Sequence, residues 1–231
     1  MAKNTVLAVL IAVCISSVPA ASAADTATDY TPDIYEFNGG NSLIFEATPD
    51  LNLAAGGTIE FWVAPDWTED PGYDPAIICN AGLEGPLYLI AMLRDRDGLA
   101  LVAGEEEDVV TFDFDDGELH HVAVSQLADG VAVFVDGRLA GVSDLVFADL
   151  PSIGLLVGSI DGVDNQFTGA IAGLRFWRTV VDQENLVRYA LADVFEADHP
   201  DLEALTAMSN FNDGALLVVA DPDLTQTTEE L

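Results

Sequence analysis

Residues 107–138 read EDVVTFDFDDGELHHVAVSQLADGVAVFVDGR. Two short runs, HHVAVSQ (120–126) and VAVFVDG (131–137), alternate apolar and polar residues and are separated by a turn containing Gly130. The second run closes on Asp136-Gly137, a dipeptide suited to a tight hairpin because both positions tolerate positive φ. This is the signature of a meander of antiparallel strands. The pattern extends outward: from Ile34 to Trp177 short apolar runs recur between Gly, Pro, Asp and Asn clusters, with almost nothing at helical spacing. Such spacing predicts an all-β antiparallel β-sandwich. Helical periodicity enters after Trp177, where Thr179–Asp193 sets Val180, Val181, Leu186, Val187, Ala190 and Leu191 on one side. Acids Asp182 and Glu184 stand at its start and Arg188 further along, as the helix dipole favours.

The paired histidines followed by a hydrophobic-hydrophobic-Val-Asp-Gly strand resemble the LamG-like jelly rolls of the concanavalin A-like lectin/glucanase superfamily, with Leu119 where a Trp usually precedes the histidines. Further segments resemble the family in its own order: Tyr35–Ile44, Leu51-Asn52-Leu53, Gly57–Pro65, Gly154–Gly158 and Phe167–Trp177. The resemblance implies a jelly roll over residues 34–222, strongest across 34–192, with one short helix after the last core strand. It leaves function open, because the superfold hosts lectins, adhesion modules, hydrolases and lyases.

Residues 1–23 carry Lys3, an apolar run from Val6 to Ile15 and a small-x-small ending at Ala21-Ser22-Ala23, which predicts a signal peptide and export to periplasm, cell surface or medium. The apolar run is about ten residues, half of what a bilayer span needs. Residues 24–33 are expected to be a flexible lead and 223–231 a disordered tail. Beyond Cys14 the chain has a single cysteine, Cys79, flanked by Ile77 and Ile78 and so expected to be a buried strand thiol.

Seven Lys plus Arg face forty Asp plus Glu, for a formal net charge of −33, and Lys3 is the sole lysine. Nucleic acid and anionic membrane surfaces, which need a cationic face, are thereby excluded as partners. Self-repulsion predicts a monomer at low salt. It also predicts stabilisation when salt shortens the Debye length from about 10 Å at 0.1 M to about 3 Å at 1 M, the habit of a marine or halophilic bacterium.

Retaining glycosidases of this superfold need two carboxylates about 5 to 5.5 Å apart, and their strand signature Glu-x-Asp-x-Glu does not occur. Glu105–Asp108 reads as a charged hairpin tip and Asp113-x-Asp115 as loop acids beside Asp116-Gly117. His120 and His121 are adjacent on a strand and face opposite ways, so they do not enter one site together. His199, beside Pro200, is expected to be exposed or to open a helix. No catalytic residue is assigned.

A glycan site combines an exposed aromatic with carboxylates and amides that fix hydroxyls. The loop Pro65–Pro75, with Trp67, Tyr73 and Asp74, is the candidate, whereas Trp62 and Trp177 sit in strand patterns and are expected to pack against the sheet. Calcium takes six to eight oxygens. The site that the resemblance implies loses its ligands here, with Asn38 for an Asp and Ala172-Gly173 for an Asp-Glu pair. Asp161, Asp164 and Asn165 form a separate candidate for calcium, although an Asp/Asn/Gly turn between strands is the favoured reading of that loop. The sequence therefore points to an exported, non-catalytic binding module for a glycan or a surface or matrix protein. A polysaccharide hydrolase or lyase, and a structural protein of the envelope, are the alternatives.

Overall fold

The structure, a computed structural model, describes residues 33–195, 197–209, 211 and 216–218. The expected signal peptide, nearly all of the lead, and the tail 223–231 lie outside the described residues. In chain order the strands are β1 (Ile34–Asn38), β2 (Leu43–Phe45), β3 (Gly57–Pro65), β4 (Ala76–Gly82), β5 (Gly85–Met92), β6 (Gly98–Ala103), β7 (Glu106–Thr111), β8 (His120–Leu127), β9 (Gly130–Val135), β10 (Arg138–Ser143), β11 (Gly154–Val157), β12 (Thr168–Trp177), β13 (Leu205–Ser209) and β14 (Leu217–Val218), with helix α1 (Gln183–Tyr189) between β12 and β13.

These strands form the antiparallel sandwich that the alternation predicts. An eight-stranded sheet runs β10-β9-β8-β3-β12-β13-β14, and β1 shares an edge of β12 with β13; a six-stranded sheet runs β2-β11-β4-β5-β6-β7. β1 pairs with the first half of β12 and β13 with its second half. The ladder with β3 skips between Ala172 and Arg175, where Gly173 takes φ +60°. Between the sheets lies one core, built from inward residues such as Phe61, Val63, Val122, Val124, Ile90, Leu101, Phe167 and Phe176. Two polar side chains on its inner wall are satisfied together: Asn80 Nδ2 and Tyr88 Oη both donate to the Leu51 carbonyl at 3.0 Å.

The Asp136-Gly137 hairpin forms as expected, with φ of 49° and 69°. Gly137 is required twice, because a Cβ there would also collide with Val187 of α1. Cys79 is a buried strand thiol on β4; burial and the nearby Asp161 charge push it up to about 11, well outside the range of a reactive thiolate.

Two expectations need correcting. Glu105–Asp108 is not wholly a hairpin tip: the turn is Gly104-Glu105, and Glu106 begins β7, an edge strand of the six-stranded sheet. Charge along an exposed edge blocks pairing with another chain. The helix is also shorter than Thr179–Asp193. The carbonyls at and just beyond its C-terminus accept from side chains of the sheet below, with Arg175 donating to Tyr189 O and Ala192 O and Trp62 to Ala190 O. Helix ends leave such carbonyls without an internal partner, and here the sheet supplies one. Of the expected apolar face, Val181 and Leu186 are buried while Val187 and Leu191 are exposed.

Candidate ligand-binding loops

β3 ends at Pro65, and the chain returns as β4 at Ala76. Proline and acidic residues in between remove ladder donors and disfavour strand, leaving a loop at one end of the sandwich. Trp67 is half-buried there and held by three contacts. Its Nε1 donates to Arg94 O at 2.9 Å, the Phe167 ring meets it edge-on at 5.8 Å, and the Arg96 guanidinium lies 5.9 Å from its centroid. Arg96 is fixed in turn by donating to Trp67 O and by an ion pair with Asp115 at 2.7 Å. Around this indole a recess of about 160 Å³ is lined by Trp67, Thr68, Glu69, Asp70, Arg94 and Asp95, among others.

Tyr73 is exposed and donates its hydroxyl to Gln166 O at 3.3 Å. Asp74 accepts from Arg94 N through Oδ1 at 2.9 Å, and its carbonyl accepts from Asn165 Nδ2 at 2.9 Å. Two segments that are 91 residues apart in sequence are thus joined: the loop carrying Trp67, Tyr73 and Asp74 is braced by the loop carrying Asp161, Asp164 and Asn165.

In the second loop Asp161 Oδ1 accepts from Val163 N and Asp164 N at 2.8 and 2.7 Å, and those bonds hold its carboxyl below the usual range. Asn165 adopts φ 50°. This is an Asx-turn geometry. Among the described residues no three His, Cys, Asp or Glu side chains converge as a metal cluster. Two larger recesses, of about 390 and 550 Å³, lie along the 148–152 segment and carry no aromatic side chain.

The histidines separate as alternation demands. His120 is clamped between Asp136 at 2.8 Å and Asp116 at 3.0 Å. Burial lowers its pKa, but those carboxylates outweigh burial and raise it above the ordinary histidine value. His121 faces the other way and meets Glu60 at 2.9 Å.

Glu60 is the hub of a buried cluster that sequence reasoning missed. It accepts from Arg175 at 3.2 Å and Trp177 Nε1 at 3.0 Å, with both charged side chains 4% exposed. Burial raises its carboxyl, yet Arg175, His121 and Trp177 hold it down at about 2. His199, expected to be exposed or to open a helix, is buried between Trp177 and Tyr189 at centroid distances of 4.5 and 4.4 Å. The desolvation there lowers its pKa. Trp62 and Trp177 pack on the sheet as expected. The one available signal was strand register: Glu60 and Trp62, like Arg175 and Trp177, are two apart and share the outer face. Closed to solvent, the cluster fastens α1 and the following segment to the eight-stranded sheet.

The Laminin_G_3 family model, described as concanavalin A-like lectin/glucanases superfamily, matches residues 37–186. A search of curated proteins finds no match to the chain. Among solved structures, a "putative carbohydrate binding protein" from Bacteroides ovatus aligns with TM-score 0.54 and 16% identity, covering 76% of this chain and 52% of that one. The receptor binding domain of botulinum neurotoxin mosaic serotype C/D aligns with TM-score 0.53 and 10% identity, covering 71% and 42%. At these identities the likeness is one of fold, and the chain spans about half the length of these proteins or less. Among the described residues no helix is long and apolar enough to cross a membrane.

Proposed function

The chain belongs to the Laminin_G_3 family of the concanavalin A-like lectin/glucanases superfamily, and we propose that it works as an exported, non-catalytic module that binds a glycan through the loops at one end of the sandwich. The observation that carries this reading is the bracing of the Pro65–Pro75 loop by the 159–166 loop through Asn165 and Gln166. A loop held in advance loses less conformational entropy on binding. It presents the chemistry that sugars need: the half-buried Trp67 and the exposed Tyr73 as apolar surfaces, Glu69, Asp70 and Asp95 as acceptors, and the exposed Arg94 as a donor. The description of the Bacteroides ovatus relative as carbohydrate binding agrees with this reading. Export rests on the leader at residues 1–23. Calcium at Asp161, Asp164 and Asn165 is the cation-dependent form of the same proposal.

The test is native affinity electrophoresis of residues 24–231 through gels containing a panel of polysaccharides, with calcium or with chelator. Selective retardation that weakens in Tyr73→Ala is the expected result, and its loss in chelator would place a cation in the site. Uniform free migration would overturn the glycan reading in favour of a protein partner. Release of reducing ends would replace it with catalysis.

A further inference from the structure

An antiparallel sheet with one face on a core and the other in water alternates apolar and polar residues. The six-stranded sheet does not. Its register sets Ile44 opposite Leu156, Leu156 opposite Cys79, Cys79 opposite Leu89, and Leu89 opposite Val102. None of these five belongs to the core between the sheets, whereas Phe45, Leu155, Tyr88 and Leu101, one residue away in their strands, do. A second row on the same outer face runs Ala76, Ala91, Ala100, Val109. Charged residues make up 20% of the chain, yet neither row holds one until Glu107, the β7 partner of Val102.

The shape is a trough. Ile44 and Val109 stand out at opposite sides, 66% and 42% exposed; between them Leu156, Cys79, Ala91 and Ala100 lie low, each under 10%, and Leu89 and Val102 are half-buried. Both rims are acidic. Beside Ile44 runs the loop bearing Asp161 and Asp164: a Cβ on Gly162 would come within 3.8 Å of Ile44 Cδ1, and the Asp161 charge is felt at the Cys79 thiol. At the far side are the exposed Glu105, Glu106, Glu107 and Asp108.

Charge and chemistry select the occupant. Between its acidic rims the trough floor, from Ile44 to Val102 and from Ala76 to Val109, has neither an aromatic ring nor a polar side chain, so it does not suit a glycan. A second copy carries the same charge of −33, and an anionic membrane is likewise repelled. We propose that the outer face of the six-stranded sheet docks a basic amphipathic segment of a partner protein, whose apolar stripe crosses the trough from one acidic rim to the other while its Lys and Arg reach both rims. Five strand spacings of about 4.8 Å make the trough about 24 Å across, the length of a helix of about 16 residues.

The test is fluorescence anisotropy of the purified chain with a labelled Leu/Lys peptide of about 18 residues. Its leucines stand at i, i+3, i+4 and i+7, and a scrambled peptide of the same composition is the control. Saturable binding is expected, at least about tenfold weaker for the scrambled peptide and for Leu89→Asp. Glu107→Lys, on an exposed edge and without consequence for folding, should weaken binding about threefold. No saturable binding, equal affinity for the scrambled peptide, or affinity unchanged in both variants overturns the proposal. Because Tyr73→Ala leaves this face intact, failure of the glycan reading and failure of this one are separable.

Discussion

Replacing Arg175 with Met removes the cation that neutralises Glu60 while leaving the carboxylate buried. Arg175 contributes an ion pair at 3.2 Å and hydrogen bonds to Tyr189 O and Ala192 O at 3.1 and 2.8 Å, all from a side chain 4% exposed. Breaking such a pair from one side costs about 3–5 kcal/mol, a large share of the roughly 5–15 kcal/mol that holds a domain folded. The pH dependence supplies an independent mark. In the native protein Glu60 titrates near 2 against a reference of 4.5, so its linkage stabilises the fold by about 3 kcal/mol above pH 4.5 and is lost as pH falls toward 2. Without Arg175, burial dominates and the folded pKa moves up, so the variant should recover part of its deficit on acidification while the native chain loses stability. Urea denaturation followed by the fluorescence of the three tryptophans, at pH 7 and pH 4, measures both. Glu60→Leu combined with Arg175→Met should be more stable than Arg175→Met alone, because no buried charge is then left unpaired. A single-variant loss below about 1 kcal/mol, or a double variant no better than the single, would refute the reasoning.

Other outcomes follow from the same structure. His120, with its pKa raised by Asp136 and Asp116, stabilises the fold fully below pH 6.5 and loses that contribution as pH rises through its folded value. The denaturation midpoint should therefore fall from pH 6 to pH 9 more steeply in the native chain than in His120→Gln, and equal slopes would contradict the clamp. His199 acts in the opposite sense: with its pKa lowered by burial, protonation below pH 6.5 should destabilise the native chain more than His199→Phe. Gly137→Ala should cost about 2 kcal/mol in urea denaturation, since φ is +69° and the new Cβ meets Val187. Melting temperature should climb between dilute buffer and molar salt, and a flat or falling curve would remove the salt-adaptation reading.

Strand alternation, the Asp136-Gly137 hairpin and the ordered family segments made the sandwich legible from the sequence, because period and turn chemistry are local properties that survive without coordinates. Strand parity likewise separated His120 from His121. Three matters depended on which strands became neighbours. Pairing of β12 with β3 put Arg175 opposite Glu60, residues 115 apart that no local pattern connects. That placement ends α1 at Tyr189 and buries His199, overriding helical periodicity with hydrogen bonds from the sheet beneath. The Trp67 loop and the Asn165 loop read as two separate sites because their bond spans 91 residues. The outer face of the six-stranded sheet was invisible for the same reason: Leu89, Val102 and Leu156 each look like ordinary core residues in their own strands, and only the register shows them aligned on the side away from the core. Local sequence sets which way each residue points within its strand, and long-range pairing alone decides what it then faces.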